Sequence, residues 1–249
     1  MQIELNAQRN GQQKNLLVIG MSHSHTVTQA AEEKPDDWNV ESVHFKTTDF
    51  LQKDKEKYTH FSVPFKMDSE EIDAVCLSLF GNEFNIFSYT EYLIPYSVGD
   101  KELGLTPNRS ARHFVPRSML KYQMQDVFET RNTFTLIESL HNQFKENNCF
   151  FLSPPPPIAD VNQLKNSLHL YANQPTSTIA PKEIRLACYD IHIEIIETFC
   201  DSIGLPFLPT PFESIDDDRC LKPSFWLGDP LHANQDYGHL VLNQIKTLL

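Results

Sequence analysis

The sequence predicts an α/β protein on a mainly parallel sheet of about five strands, and three observations carry that expectation. Short apolar runs that suit buried strands alternate with longer stretches of helical periodicity. The first run, Leu16-Leu17-Val18-Ile19, is apolar throughout, as a strand covered on both faces must be. Gly20, Gly81, Pro154 and Pro209 punctuate the runs where a chain leaving a sheet has to turn.

Taken in order, Leu16–Ile19 is the first strand, and a helix follows from about Ser22, continued by Thr26, Val27, Ala30 and Ala31. Trp38 to Phe45 alternates well enough for a second strand, with Val40 and Val43 among polar residues. Residues 46 to 60 mix lysine and aspartate as a solvated connection or a surface helix does. Asp73 to Phe80 is a third strand running straight into Gly81-Asn82. Residues 86 to 117 hold five aromatics, three prolines and the arginines Arg109, Arg112 and Arg117, which reads as a lid or substrate-binding insertion. A helix is expected from about Ser118 to Lys145, then a strand over Cys149–Leu152, stopped by Pro154 to Pro157. That proline run is expected to form a rigid wall of the site rather than an SH3-type ligand. Ile184, Cys188, Ile191, Ile195 and Phe199 define a helix from Pro181 to Ser202, with Gly204 just past its end. Phe207-Leu208 is a short last strand, and Asn234 to Leu248 a final helix with Leu240, Val241, Ile245 and Leu248 on one face.

At 249 residues, with 40% hydrophobic and 22% charged residues, the chain suits one globular domain spanning 1–249. A net charge of −12 argues against a nucleic acid or an anionic membrane surface as partner. No apolar run approaches the roughly 20 residues of a membrane span, and Met1 to Lys14 lacks the apolar core of a signal peptide. The five cysteines (Cys76, Cys149, Cys188, Cys200, Cys220) are odd in number and form no CxxC pair. Buried free thiols are expected, no zinc site, and a cytoplasmic location. GxGxxG and GxxxxGK[ST] are both absent, and no cofactor is expected.

Three places can do chemistry. Ser22 stands at the carboxyl end of the first strand, facing the start of a helix, where open α/β sheets collect ligands. Unpaired N–H groups there favour developing negative charge; the plainer role for Ser22 or Ser24 is to cap the helix. Asn82 follows the third strand into the same crevice. Asp229-Pro230-Leu231-His232, just before the last helix, lets a carboxylate accept from one imidazole nitrogen while the other faces the crevice as a base; the plainer role is a loop with an exposed histidine and a surface aspartate.

Together these blocks resemble the SGNH/GDSL hydrolase superfamily: Gly20-Met21-Ser22-His23-Ser24, Gly81-Asn82-Glu83 and Asp229-Pro230-Leu231-His232, in the right order and strand context across nearly the whole chain. The resemblance implies a flavodoxin-like three-layer α/β/α fold that cleaves or transfers acyl esters. It implies Ser22 as nucleophile, His232 as base, Asp229 as its orienting partner, and an oxyanion hole from Ser22, Gly81 and Asn82. His23, Arg109 and Arg112 are then candidates for substrate binding. A small-molecule or glycan ester is the expected substrate, because the Gly-x-Ser-His-Ser sequence is similar to that of SGNH domains linked to surface-glycan acylation.

The chain departs from that pattern twice. Met21 stands where an aspartate usually precedes the nucleophile, and no glycine occurs between Gly20 and Gly81 to supply the second-block N–H. Two other readings follow: a catalytically weak domain that only binds a glycan or partner, and a metal site from His23, His25, Asp229 and His232. His44, His60, His113, His141, His169, His192 and His239 are assigned to packing or the surface.

Overall fold

The computed structural model describes residues 13–45, 65–89, 96–99, 113–166 and 178–249. Strands β1 (Lys14–Gly20), β2 (Trp38–His44), β3 (Ala74–Ser78), β6 (Cys149–Leu152) and β7 (Phe207–Leu208) form a five-stranded sheet in the order β2-β1-β3-β6-β7. Every pairing in it is parallel. A separate parallel pair joins β4 (Tyr96–Gly99) to β5 (His113–Pro116). These short strands fall inside the stretch expected to form a lid; Arg109 and Arg112 lie outside the described residues.

Strand alternation sorts the core into two layers. Leu17, Ile19, Val75, Leu77, Cys149 and Phe151 face one side. They pack there against α2 (Glu83–Ser88), α3 (Arg117–Thr130), α4 (Thr133–Gln143) and α6 (Lys182–Ile203), the short α5 (Val161–Asn166) falling between the last two in the chain. Leu16, Val18, Ala74, Cys76, Phe150 and Leu152 face the other, against α1 (Ser24–Glu32) and α7 (Gln235–Leu248). A strand sealed on both faces has no room for a polar residue, which is why Leu16–Ile19 is wholly apolar and wholly buried. Fully burying each such side chain contributes about 1.5–3 kcal/mol. The result is the expected three-layer α/β/α fold.

Two helix expectations need correction. The helix expected over 118–145 is two helices, α3 and α4, broken at Asn132, which takes a left-handed conformation (φ 55°) that asparagine tolerates better than most residues. The first helix begins at Ser24, not Ser22. The Met21 N–H is spent on the Ser78 carbonyl (2.9 Å) and Ser24 N–H turns back to Met21 (3.0 Å), so residues 21–23 form a turn. The other boundaries hold: α6 ends at Gly204 (φ 71°), and Asn234 caps α7 by accepting from the Tyr237 N–H.

The proline run is buried, and its carbonyls are used: Pro154 accepts from Tyr189 Oη (3.0 Å) and Pro157 from Leu221 N–H (3.0 Å). Just beyond it the guanidinium of Arg185, itself buried, donates to the carbonyls of Ala180, Ile158 and Ala159. Buried and hydrogen-bonded in this way, the segment is a fixed part of the packed interior. All five cysteines are buried free thiols. Among the described residues no helix is long and apolar enough to cross a membrane.

Helices α1 and α7, distant in sequence, pack closely through Gly238. A Cβ there would lie 2.2 Å from the Thr26 carbonyl oxygen and 2.8 Å from Ala30 Cβ. Gly238→Ala is therefore expected to destabilise the protein by about 1–3 kcal/mol or more, read as a lower midpoint in thermal or urea unfolding.

Candidate active site

In this strand order the chain leaves β1 for β2 on one side and returns to β3 on the other, so the topological switch lies between the carboxyl ends of β1 and β3. Ser22 and His23 follow β1; Gly81 and Asn82 follow β3. Phe80, between β3 and Gly81, is held at φ 53°, a costly conformation for a bulky residue. It turns the chain sharply so that Asn82 leads into α2.

The third block comes back to this edge through α7. Trp226 and Ala233 form an antiparallel bridge, Leu227 N–H donates to the His232 carbonyl (3.1 Å), and Thr26 Oγ1 donates to the Ala233 carbonyl (3.0 Å). That last bond ties the loop bearing His232 to the helix that follows Ser22. Within the loop, Asp229 Oδ1 accepts from the Leu231 and His232 N–H groups, both at 2.8 Å. Its Oδ2 lies 2.8 Å from His232 Nδ1. Burial alone would raise the Asp229 pKa, but the His232 ring and these N–H donors outweigh it and hold the carboxyl below its usual range. The ionised carboxylate fixes a proton on Nδ1 and leaves Nε2 with a lone pair. That Nε2 is buried and makes no hydrogen bond.

His23 occupies the centre. Its ring lies 4.9 Å from the His232 ring at 49°, and its Nε2 is 3.0 Å from Asn82 Oδ1. Burial first, and the neighbouring His232 second, lower its pKa to about 4 against the opposing pull of Asn82 and Asp229. His23 is thus neutral near pH 7. Asn82 Oδ1 also faces Asn85 Nδ2 at 3.4 Å, while the Asn82 N–H donates to Glu83 Oε2 (3.1 Å). Glu83 is buried and pairs with Arg131 through Oε1 (2.8 Å). Neither the His23–Asn82 contact nor the Glu83–Arg131 support was readable from sequence: the partners are 59 and 48 residues apart.

Ser22 is exposed in the turn, next in the chain to His23, and no hydrogen bond joins it to His232. Among the described residues, neither the Ser22 nor the Gly81 N–H donates to a backbone carbonyl. His25 is not part of this cluster. It stacks on His44 at 4.0 Å, and His44 Nδ1 in turn contacts the buried Ser24 hydroxyl at 2.9 Å. Among the described residues no group of three or more His, Cys, Asp or Glu side chains is arranged to hold a metal ion.

Fold and site together define a flavodoxin-like α/β/α protein with an Asp–His pair, a serine and an asparagine at the switch point of its sheet. No family model and no curated protein matches the chain. Solved structures similar to it include a GDSL-like lipase from Bacteroides thetaiotaomicron (12% identity, 95% of this chain and 89% of that one, TM-score 0.41). Another is the periplasmic domain of a lipopolysaccharide acetyltransferase from Salmonella ser. Paratyphi A (13%, 100% and 89%, TM-score 0.43). A third is a variant of an acetyl-xylooligosaccharide esterase from Geobacillus (11%, 95% and 94%, TM-score 0.42).

Proposed function

We propose that this protein is a serine esterase or O-acyltransferase of the SGNH type, acting on an acyl ester of a carbohydrate through an acyl-enzyme. The observation that carries the reading is the Asp229–His232 pair with Nε2 unspent, its ring 4.9 Å from that of His23 in the turn that bears Ser22. In the first half-reaction Ser22 Oγ attacks the ester carbonyl carbon and His232 Nε2 takes the hydroxyl proton. The oxyanion is held by Asn82 Nδ2 and the N–H groups of Ser22 and Gly81. As the tetrahedral species collapses, His232 returns the proton to the leaving alkoxide. Water or a sugar hydroxyl then attacks the acyl-Ser22 ester, with His232 again as base.

The absent Ser22–His232 bond fits a resting site. A serine hydroxyl in an exposed turn changes rotamer on the picosecond–nanosecond scale, and such bonds commonly tighten only when substrate binds. The preference for a glycan ester rests on the Gly-x-Ser-His-Ser sequence.

The test is incubation with an activated phosphonate ester, followed by peptide mass mapping. One adduct is expected, on the peptide containing Ser22, and Ser22→Ala should lose both label and turnover of acetyl esters. Turnover should also survive exhaustive chelation. A protein that takes no label and turns over no ester, yet binds a glycan, is the non-catalytic domain instead.

A further inference from the structure

We infer that His23 is a positioning residue: its Nε2–H holds Asn82 Oδ1 so that the carboxamide presents Nδ2 to the substrate carbonyl oxygen. The inference rests on the esterase reading above and names the group that organises its oxyanion hole.

The argument begins with the amide. An oxyanion hole needs a donor, and a carboxamide has one donor end and one acceptor end. Turned the wrong way, Asn82 would set its oxygen against the developing charge. Its orientation is decided by what grips the inner end. His23 Nε2 sits 3.0 Å from Oδ1, and Asn85 Nδ2 lies on the same oxygen at 3.4 Å. Both are donors to Oδ1, which leaves Nδ2 as the free end. The Asn82 N–H cannot share this work, because Glu83 Oε2 holds it.

The tautomer follows from the surroundings of the ring. His23 Nδ1 is buried with no hydrogen-bond partner. A proton there would be an orphaned buried donor, whereas a proton on Nε2 has a carbonyl oxygen waiting. His23 also lines a void of about 10 Å³ with Thr26, Ser78, Ser153 and Tyr237, space for about one water molecule that could face a lone pair.

The backbone is shaped for this ring. A Cβ on Gly81 would lie 2.5 Å from His23 Cδ2 and 3.0 Å from Nε2, so a side chain there would push the imidazole off the turn that carries Asn82. Gly81 therefore has a use besides its N–H. The neutrality of His23 matters for a different reason. His232 becomes an imidazolium in the transition state, 4.9 Å from the His23 ring, and a second positive ring there would oppose it. In this chain, which lacks the second-block glycine, the burden on Asn82 is greater and its orientation counts for more.

The experiment is a double-mutant cycle on acetyl-ester turnover with His23→Leu, Asn82→Ala and the double variant, together with His23→Gln. A misdirected donor is expected to cost about tenfold to a hundredfold. His23→Leu should therefore lower kcat by that much with KM within about threefold, and Asn82→Ala should lower it about a hundredfold to a thousandfold. Because His23 works through Asn82, the double variant should be no slower than Asn82→Ala alone. His23→Gln, which keeps a side-chain N–H donor, should recover most of the loss. Losses that multiply in the double variant, or a His23→Gln as slow as His23→Leu, would overturn the proposal while the esterase reading stands. A wild-type protein that neither labels at Ser22 nor turns over ester would remove the esterase reading itself. Thermal melts of all four variants separate unfolding from a kinetic effect.

Discussion

Asp229→Asn is expected to lower kcat for ester cleavage by about four orders of magnitude, with KM little changed and the protein still folded. The size of the effect comes from how both carboxylate oxygens are used. Oδ1 accepts two backbone N–H groups, from Leu231 and His232, and Oδ2 accepts from His232 Nδ1. An asparagine has only one acceptor atom to offer. The two fixed N–H donors claim it, since an NH2 group turned toward them would face donor to donor. The NH2 is then forced onto His232 Nδ1, which must present a lone pair, and the ring proton moves to Nε2. A protonated Nε2 cannot take the proton of Ser22. The loop keeps its two turn bonds, so binding and folding survive. Steady-state kinetics and the rate of phosphonate labelling both report this, and a fall in kcat of less than tenfold would mean that Asp229 does not orient the base.

The parts of this molecule that depend on local chemistry were legible in its sequence. Leu16–Ile19 could only be a buried strand, Gly204 and Asn234 mark helix ends in their usual roles, and Phe207-Leu208 is a strand as expected. The spacing of Ile184, Cys188, Ile191, Ile195 and Phe199 predicted a buried face; the first four are buried and Phe199 is half-buried. The break at Asn132 was hidden because asparagine is also tolerated inside helices, and only the packing of α3 and α4 decides between the two. The site divides in the same way. Asp229 and His232 are three residues apart, so their hydrogen bond could be read from spacing. His23 and Asn82 meet only because β1 and β3 are neighbours, and a histidine after a serine carries no sign of its partner. Sequence offered His23 for substrate binding; in the fold it is buried, with its Nε2 on Asn82 Oδ1. Arg185 was missed for the same reason, since its partners are carbonyls, which every residue carries.

Acid should unfold this protein early, and His192 should be the main cause. Its ring is buried between Phe84 and Phe128, at centroid distances of 5.6 and 5.2 Å, and neither nitrogen has a hydrogen-bond partner. Burial, and secondarily the neighbouring His23, lowers its pKa from 6.5 to about 3; His23 itself falls to about 4. Below pH 6.5 the unfolded chain binds protons that the native state refuses, so stability is full above that pH and is lost as pH falls toward these values. At about 1.36 kcal/mol per pKa unit, His192 can remove up to about 5 kcal/mol and His23 up to about 3, against a typical total of roughly 5–15. The depressed carboxyl of Asp229 acts in the same direction at lower pH. Glu83 opposes them: burial raises its pKa despite Arg131, so it favours the native state in acid and gives that up as pH rises. His44 and Glu194, both lowered, act with the two buried histidines, and Asp190, raised by burial, acts with Glu83; the two large histidine shifts leave the balance with acid unfolding. Urea midpoints should fall steadily from pH 7 to pH 4.5. His192→Leu, similar in volume and free of unmet polar atoms, should flatten that slope and match or exceed the parent at pH 8. An unchanged slope in this variant would assign the acid sensitivity to other groups.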